Sequence, residues 1–486
     1  EWPGITLKPE GKTWDVSGYQ RIVVDVTNTG DHPVEVGLRV DNPGADGVHD
    51  CLSLIGQVEP GEVQTFIGNL VSTPWVLDTP IEWVGMRSAP GRPALDPTQV
   101  NQIIVFVRQP QEDHRFTLGN IRLEGAVTGL KAEGFLPFID EFGQFIHVDW
   151  PGKTHSLEEF AEHRAREQAS LAAHPGPPDR DRFGGWLGGP QQTATGWFRT
   201  EKVDGKWWLV DPEGRLFWSS GVACVDDSFS STPISQRETY FRGLPQRDGR
   251  FRRFYGRGSW APVGYYKDKT PYEHFNFYSA NLVRKYGDEY RESFADMVHR
   301  RFRSWGLTTI GNWSAPDVYL QQRTPYTAMF HLQCKQLEGS EGYWHKFHDV
   351  FDPSFRLSLR EGFKSRSREI ADPWCIGFFV DNEMSWGDET SLARAALASP
   401  ADQSAKREFV GDLRAVYGDI AELNAAWGTE HASWDALLGS GQLPDEGKAR
   451  TDLLAFSRKM AEAYFRTVKE ELVAAMDQHR AENPDE

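Results

Sequence analysis

The sequence is poor in cysteine, and its four cysteines lie far apart. Cys51, Cys224, Cys334 and Cys375 form no CxxC pair among 486 residues, which excludes the common zinc-ribbon and dithiol redox motifs. We therefore expect free thiols. The chain begins at Glu1 rather than Met, so we expect that a leader has been trimmed although no signal peptide is visible.

Long hydrophobic runs and an excess of basic residues are also missing. No apolar run approaches the ~18 residues of a membrane-spanning helix, so no membrane span is predicted. Lys and Arg number 53 against 70 Asp and Glu, which gives a formal net charge of −17. Such a surface argues against binding to nucleic acid or anionic lipid, and a polymer bound by this chain is expected to be neutral or cationic.

Aromatic residues, by contrast, are abundant. The chain has 18 Trp, 29 Phe and 14 Tyr, or 13% of its residues, and flat sugar rings stack on such side chains. Its length exceeds what one hydrophobic core usually supports, so two or three domains are expected. Composition thus favours a multi-domain protein that handles carbohydrate.

The first part of the chain, residues 1–125, is predicted to be an antiparallel β-sandwich of the jelly-roll kind. Short β-branched runs such as RIVVDVTNTG and VEVGLRVDNPG alternate with Gly, Asn and Pro turns, as in known sandwiches. Residues 126–190 are predicted to be a connector with one helix, because Ser156 and Glu159 form a capping box before LEEFAEHRAREQASLAAH.

From residue 191 onwards, strands alternate with helices, which indicates a parallel sheet with helical crossovers. Four apolar runs are the predicted strands: 215–225, 307–314, 326–334 and 374–383. Polar residues end each of them: Asp226 and Asp227, then Asn312 and Trp313, then His331, then Asp381, Asn382 and Glu383. This pattern is typical of the active face of a (β/α)₈ TIM barrel. A doubly wound nucleotide fold is disfavoured, because GVACVDDSFSS lacks the GxGxxG turn.

Several strings in this region together resemble the family 50 glycoside hydrolases, the β-agarases of clan A. They are, in order, GWFRTEKVDGKWWLVDPEGRLFWSSGV, FNFYSANLVRKYG, LTTIGNWS, HDVFDPSF and GFFVDNEMSWG. The resemblance runs from about residue 196 to the C-terminus, and the leading sandwich resembles the carbohydrate-binding-module-like domain of that family. It implies a secreted or periplasmic bacterial enzyme that needs no cofactor. It also implies retaining hydrolysis of the β-1,4 bond of agarose, with Glu383 as acid/base and Asn382 contacting the sugar 2-hydroxyl.

The chemistry expected of the residues agrees with this resemblance. Retaining glycosidases need one protonated carboxyl group and a second carboxylate about 5 Å away as nucleophile. Asp381 is expected to help keep Glu383 protonated, since like charges resist ionising together. Further candidate substrate contacts are Asn312, Trp313, His331, Trp386, Asp227 and Asp381, and then Tyr343 with Trp344. His345, His348, Asp349 and Asp352 match no standard metal-site spacing, so no metal is predicted.

The sequence departs from the family in one respect. The clan A nucleophile follows strand seven, whereas residues 191–486 show four barrel strands and then only helical sequence from 391. We therefore expect an incomplete barrel domain of about the first four βα units. The other half, with the nucleophile, is expected on a second polypeptide from the same gene product. A half barrel is also expected to expose Phe217, Ile310, Phe330 and Phe378.

Two alternatives remain open. A related clan A galactan hydrolase, such as a β-galactosidase or a carrageenan hydrolase, would carry the same Asn-Glu pair. A non-catalytic galactan-binding protein would need no nucleophile. A glutamate at the end of a strand in the remaining half of the barrel would therefore favour an enzyme over a binding protein.

Overall fold

The computed structural model describes residues 2–71, 75–79, 81, 83–85, 95–261 and 264–483. Its strands are β1 (Gly4–Leu7), β2 (Tyr19–Asn28), β3 (Val34–Asp41), β4 (Cys51–Val58), β5 (Val63–Asn69), β6 (Trp75–Leu77), β7 (Gln102–Val107), β8 (Phe116–Ala126), β9 (Thr128–Leu130), β10 (Arg199–Val203), β11 (Lys206–Val210), β12 (Leu216–Phe217), β13 (Gly221–Val222), β14 (Ser231–Pro233), β15 (Tyr255–Gly258), β16 (Tyr272–Asn276), β17 (Thr309–Ile310), β18 (Tyr326–Phe330) and β19 (Cys375–Val380).

The α-helices are α1 (Glu159–Ala173), α2 (Phe277–Tyr286), α3 (Tyr290–Ser304), α4 (Pro316–Tyr319), α5 (Pro353–Ser365), α6 (Ser367–Ile370), α7 (Ser391–Ala398), α8 (Ser404–Tyr417), α9 (Ile420–Trp427), α10 (Trp434–Gly439) and α11 (Glu446–Glu482), and two 3₁₀ turns span Glu238–Tyr240 and Arg252–Phe254. Among the described helices, none is long and apolar enough to cross a membrane. The chain divides into two units. The first unit comprises Glu1–Lys153 and Thr232–Phe277, and the second comprises Thr154–Ser231 and Tyr278–Glu486.

The first unit contains two antiparallel sheets, with strand orders β1-β7-β3-β4 and β5-β2-β8. Val24 and Val26 of β2, Val36 and Leu38 of β3, and Val105 of β7 are at most 3% exposed and lie in one apolar cluster. Because side chains alternate between the two faces of a strand, every second side chain of these strands points into this shared core. Two smaller sheets, β6-β9 and β14-β16-β15, complete the unit.

The second unit begins its β-structure with the hairpin β10-β11, which β12 extends. Asp204 and Gly205 connect the two hairpin strands with φ values of 48° and 80°, as a type I′ turn requires. The following sheet has the order β13-β17-β18-β19 and is parallel throughout. Each of the four predicted apolar runs contains one of its strands.

Helices α5 and α7 to α11 enclose an apolar core beside this sheet. Phe363 of α5 packs edge to face against Phe330 and Phe378, with ring centroids 5.0 and 5.6 Å apart. The expectation that Phe217, Ile310, Phe330 and Phe378 would be exposed is wrong. The first three are at most 7% exposed and Phe378 is partly buried, and on β18 and β19 the side chains of Phe330 and Phe378 face α5. The next residue, Phe379, points to the opposite face and is 54% exposed.

Two helix predictions need correction. The amphipathic sequence of residues 281–306 predicts one helix, but the chain forms two, because Gly287 has a φ of 91° and interrupts the hydrogen-bond ladder between α2 and α3. The capping box of Ser156 and Glu159 also does not form. Helix α1 begins at Glu159, and the Glu159 carboxylate accepts a 2.9 Å bond from the His155 backbone N–H instead.

Candidate active site

The turn that follows β19 is strained. Asp381 and Glu383 have φ values of 61° and 49°, a region that costs L-residues about 1 to 3 kcal/mol each and persists only where surrounding contacts hold it. The first of these contacts is a 3.0 Å hydrogen bond from the Asp381 backbone N–H to the Phe330 carbonyl on β18. Asn382 lies between the two acids and is half-buried.

The Asp381 carboxylate supplies further contacts, although it is only 4% exposed. Its Oδ1 accepts from the Leu332 backbone N–H at 2.9 Å, and its Oδ2 accepts from His348 Nε2 at 3.0 Å. The Tyr464 hydroxyl of α11 lies 3.5 Å from Oδ2 and donates to the Val380 carbonyl at 3.0 Å. These contacts hold the backbone of the turn against β18 and α11.

Burial alone would raise the pKa of Asp381, but hydrogen bonds from His331, His348 and Leu332 outweigh it and leave the pKa lowered. Asp381 is therefore a charged anchor. His348 is oriented in turn by Cys334, whose Sγ lies 3.2 Å from His348 Nδ1. Burial, together with the negative charge of Asp381, raises the pKa of Cys334 to about 12, so the thiol keeps its proton and donates it to Nδ1. The predicted repulsion between Asp381 and Glu383 stays a prediction.

Glu383, by contrast, is exposed. Its Oε2 accepts a hydrogen bond from the indole Nε1 of Trp344, which lies on the loop between β18 and α5. Tyr343 packs edge to face on Trp344, with ring centroids 4.7 Å apart. The sequence indicated Tyr343 and Trp344 only as sugar contacts. The direct bond to Glu383 was not predicted, because no spacing rule links residues 39 positions apart on different loops.

Two predicted contacts, Trp313 and His331, line one cleft of about 340 Å³ together with Asp226 and Phe229. The ring of His331 is 51% exposed, and its Nδ1 lies 3.7 Å from Asp381 Oδ1. A third predicted contact, Asn312, is 9% exposed, and its Oδ1 accepts from the Thr327 hydroxyl at 2.6 Å. Adjacent strand ends thus bring Trp313 and His331 to one cleft, and His331 also lies beside Asp381 of the turn that carries Glu383.

Two other predicted substrate contacts, Trp386 and Asp227, make packing or hydrogen-bond contacts within the protein. Trp386 stacks on Phe465 with centroids 5.7 Å apart and ring planes at 6°, and it packs edge to face on Phe347 at 4.8 Å. Asp227 is 2% exposed; its carboxylate accepts from Ser279 Oγ at 2.9 Å and from the Tyr290 hydroxyl. Their roles as substrate contacts stay predictions.

The histidine-rich loop also differs from its sequence interpretation. Asp349 is buried and accepts from Gln403 Nε2 at 2.6 Å, and Asp352 caps α5 by accepting from the Ser354 N–H at 2.9 Å. Both are structural. His345 and His348, however, meet Asp381, and one ligand atom of each lies within 4.8 Å of the others. The third member comes from a strand end 33 residues downstream of His348, which spacing within the loop does not reveal.

No family model matches the chain. Comparison with curated proteins finds two beta-agarases that match it along 98% of its length. Beta-agarase B of Vibrio sp. (strain JT0107) is 31% identical over 98% of this chain and 55% of its own length. Beta-agarase A of the same strain is 26% identical over 98% of this chain and 52% of its own length. The chain thus spans about half the length of the curated relatives it matches.

Solved structures give the same result. The agarase AgWH50C superposes with a TM-score of 0.70 at 28% identity, over 98% of this chain and 72% of that one. An exo-beta-agarase superposes with a TM-score of 0.71 at 28% identity, over 98% and 73%. PfGH50B superposes with a TM-score of 0.70 at 26% identity, over the same shares.

Proposed function

The chain belongs to the family 50 β-agarases, and from this premise we propose that it carries the acid/base half of a retaining β-agarase active site. The substrate would be the β-1,4 galactosidic bond of agarose or its oligosaccharides. The observation that carries the proposal is Glu383, an exposed carboxylate on a strained turn at the carboxyl end of a parallel strand, directly after Asn382. Catalytic groups of parallel α/β barrels lie at this end of the strands.

The surroundings of Glu383 suit an acid/base. The Trp344 indole donates to its Oε2 and so fixes the direction of the carboxyl group, while the buried Asp381 fixes the backbone two residues earlier. In the first half of a double displacement, Glu383 would protonate the leaving glycosidic oxygen. In the second half, it would take a proton from the attacking water. Neither step requires a cofactor.

The nucleophile would come from outside this chain. Within the described residues, β19 pairs with β18 alone, and the exposed Phe379 lies on this edge strand. An unpaired edge of this kind accepts a further strand, and the curated relatives are nearly twice as long as the matched region. We propose that the remaining length, on a second polypeptide or otherwise, completes the barrel and places a glutamate about 5 Å from Glu383.

The other predicted parts fit this proposal. Residues 191–486 would be the first four βα units of the barrel, residues 126–190 the connector, and residues 1–125 a β-sandwich that resembles a carbohydrate-binding module. Trp313, His331 and Trp386 would contact sugar rings, and Asn382 would bind the 2-hydroxyl. An enzyme that degrades agarose acts outside the bacterial cytoplasm, so we propose secretion or export to the periplasm.

The proposal is tested by following hydrolysis of agaro-oligosaccharides by NMR with the protein expressed from its intact coding sequence. We expect the new reducing end to appear first as the β-anomer, because double displacement retains configuration. Glu383→Gln is expected to lower turnover by about 10² to 10⁴-fold, the usual effect of losing a general acid. A first product of α-configuration, or a Gln variant with full turnover, would contradict it. Sugar binding without hydrolysis by the native protein would favour the galactan-binding alternative.

A further inference from the structure

His345, His348 and Asp381 converge beside the turn that carries Glu383, and each presents a metal-ligating atom. One nitrogen of each histidine and one carboxylate oxygen lie within 4.8 Å of one another. His348 Nε2 and Asp381 Oδ2 are already 3.0 Å apart. His348 and Asp381 are buried, whereas His345 is half-buried and lies on the solvent side.

The remaining polar atoms of all three residues have partners that orient the set. The Nδ1 of His345 donates to the Lys346 carbonyl at 2.8 Å, which leaves the Nε2 lone pair of that ring available. The Oδ1 of Asp381 accepts from the Leu332 N–H at 2.9 Å, and Nδ1 of His348 lies 3.2 Å from Cys334 Sγ. Metal-binding histidines and carboxylates are commonly held by such outer contacts.

We propose that His345, His348 and Asp381 form a binding site for a divalent transition-metal ion of the zinc class. Two imidazoles and one carboxylate are a ligand set that Zn²⁺ accepts, with a fourth position for water, whereas Ca²⁺ and Mg²⁺ prefer oxygen ligands. With Nε2 bound to the ion, the His348 proton would lie on Nδ1, and Nδ1–H would donate a hydrogen bond to Cys334 Sγ. The thiol stays protonated and remains outside the ligand set.

The distances show what must move. Zn–N and Zn–O bonds of about 2.0 to 2.2 Å put tetrahedral ligand atoms a little over 3 Å apart, close to the present separation of His348 and Asp381. His345 must approach by one to two ångströms, and its half-buried ring on a loop permits this. The ion would then join the loop of Trp344 to the turn of Glu383, since Trp344 precedes His345 in the chain.

The test is zinc binding to the chelator-stripped protein, measured by calorimetry, with thermal unfolding as a second readout. We expect one equivalent of Zn²⁺ to bind and to raise the Tm. His345→Ala is expected to weaken binding by at least about tenfold and to abolish the Tm increase, while the metal-free Tm stays unchanged. His163→Ala, at a half-buried position of α1 like that of His345, is the matched control, and His345→Gln replaces the Ala variant if that one does not fold.

The outcomes separate this inference from the proposed function, because neither readout requires agarase activity. Zinc binding that depends on His345 supports the site even if no sugar is cleaved. The inference is overturned if the native protein binds no Zn²⁺, or if His345→Ala and His345→Gln bind it as tightly as the native chain.

Discussion

Two buried aspartates in the second unit, Asp381 and Asp211, have opposite environments. Asp381 has donors at both oxygens, from Leu332 and His348, and its pKa is lowered despite burial. Asp211, in the turn between β11 and β12, has backbone donors on Oδ1 alone, from Glu213 and Arg215 at 2.9 Å each. Burial alone therefore does not decide the charge of a carboxyl group in this protein.

The Oδ2 atom of Asp211 illustrates the other case. Neither this atom nor Oδ2 of Asp181 has a hydrogen-bond donor among the described residues, and both lie near Gly185, since a Cβ there would be 2.0 and 3.1 Å from them. Burial, reinforced by the neighbouring Asp181, raises the pKa of Asp211 to about 7. A proton shared between the two carboxyl groups would satisfy both oxygens, so we expect Asp211 to hold a proton at a pH where Asp381 is charged.

The largest effect is expected from removing the donor that keeps Asp381 charged. His348→Ala removes the Nε2–H that donates to Oδ2 of the buried Asp381 carboxylate, and leaving a buried charged acceptor without its donor costs about 3 kcal/mol. We expect the free energy of unfolding at pH 7, measured in urea, to fall by that amount. His163→Ala, which touches no buried carboxylate, is expected to change it little.

The pH dependence sharpens the same prediction. Because the folded pKa of Asp381 lies below the unfolded value of about 3.9, its stabilisation is present above about pH 4 and is lost as pH falls towards the folded pKa. The difference between wild type and His348→Ala should therefore shrink in acid. A difference that stays constant from pH 7 to pH 3 would contradict the assignment of Asp381 as a charged anchor.

The second prediction concerns Asp211, where the sign is reversed. Its folded pKa of about 7 lies above the unfolded value, so its stabilisation is complete below about pH 4 and is lost as pH rises through 7. Asp211→Asn keeps the shape and removes the titration. It should therefore be more stable than wild type at pH 8, by on the order of 2 kcal/mol.

Urea unfolding at pH 5 and pH 8 checks this prediction. Asp402→Asn, whose side chain is 75% exposed, serves as the control and should show no such pH dependence. If Asp211→Asn instead loses stability at pH 8, the two oxygens do not share a proton, and the contrast between the two aspartates is wrong.

The smallest effect is expected at Trp344. Trp344→Phe keeps an aromatic ring but removes the N–H that donates to Glu383, and the loss of one orienting hydrogen bond is worth roughly one factor of ten in rate. We expect turnover on agaro-oligosaccharides to fall about tenfold with an unchanged Tm. Trp305→Phe, at a 64% exposed position, should change neither quantity. Equal turnover in both variants would show that the indole does not orient Glu383.

The sequence predicts the strands of this site and the polar residues that follow them, but it does not predict which side chains contact each other. The four parallel strands and the polar residues after them follow from apolar runs and local punctuation. The contacts of Asp381 with His348 and Tyr464 join residues 33 and 83 positions apart, and local patterns carry no signal for them. For the same reason the sequence did not predict the hydrogen bond from Trp344 to Glu383 or the proximity of His345 to Asp381.

Burial was predicted less well, for a physical reason. Phe330 and Phe378 were expected to be exposed in a half barrel, but side chains of a strand alternate between its two faces. Both of these rings face α5, and Phe379 is the exposed one. An apolar run marks a strand but does not show which face each residue occupies when both faces are apolar.

The most direct measurement of the central claim, that Glu383 is the acid/base, compares two substrates of the Glu383→Gln variant. An agaro-oligosaccharide has a poor leaving group that needs protonation, whereas an activated aryl β-galactoside has a leaving group that departs without it. If Glu383 donates the proton, turnover of the oligosaccharide should fall by about 10² to 10⁴-fold, and formation of the glycosyl-enzyme from the aryl substrate should fall far less. Equal losses on both substrates would contradict the claim and assign Glu383 a different role.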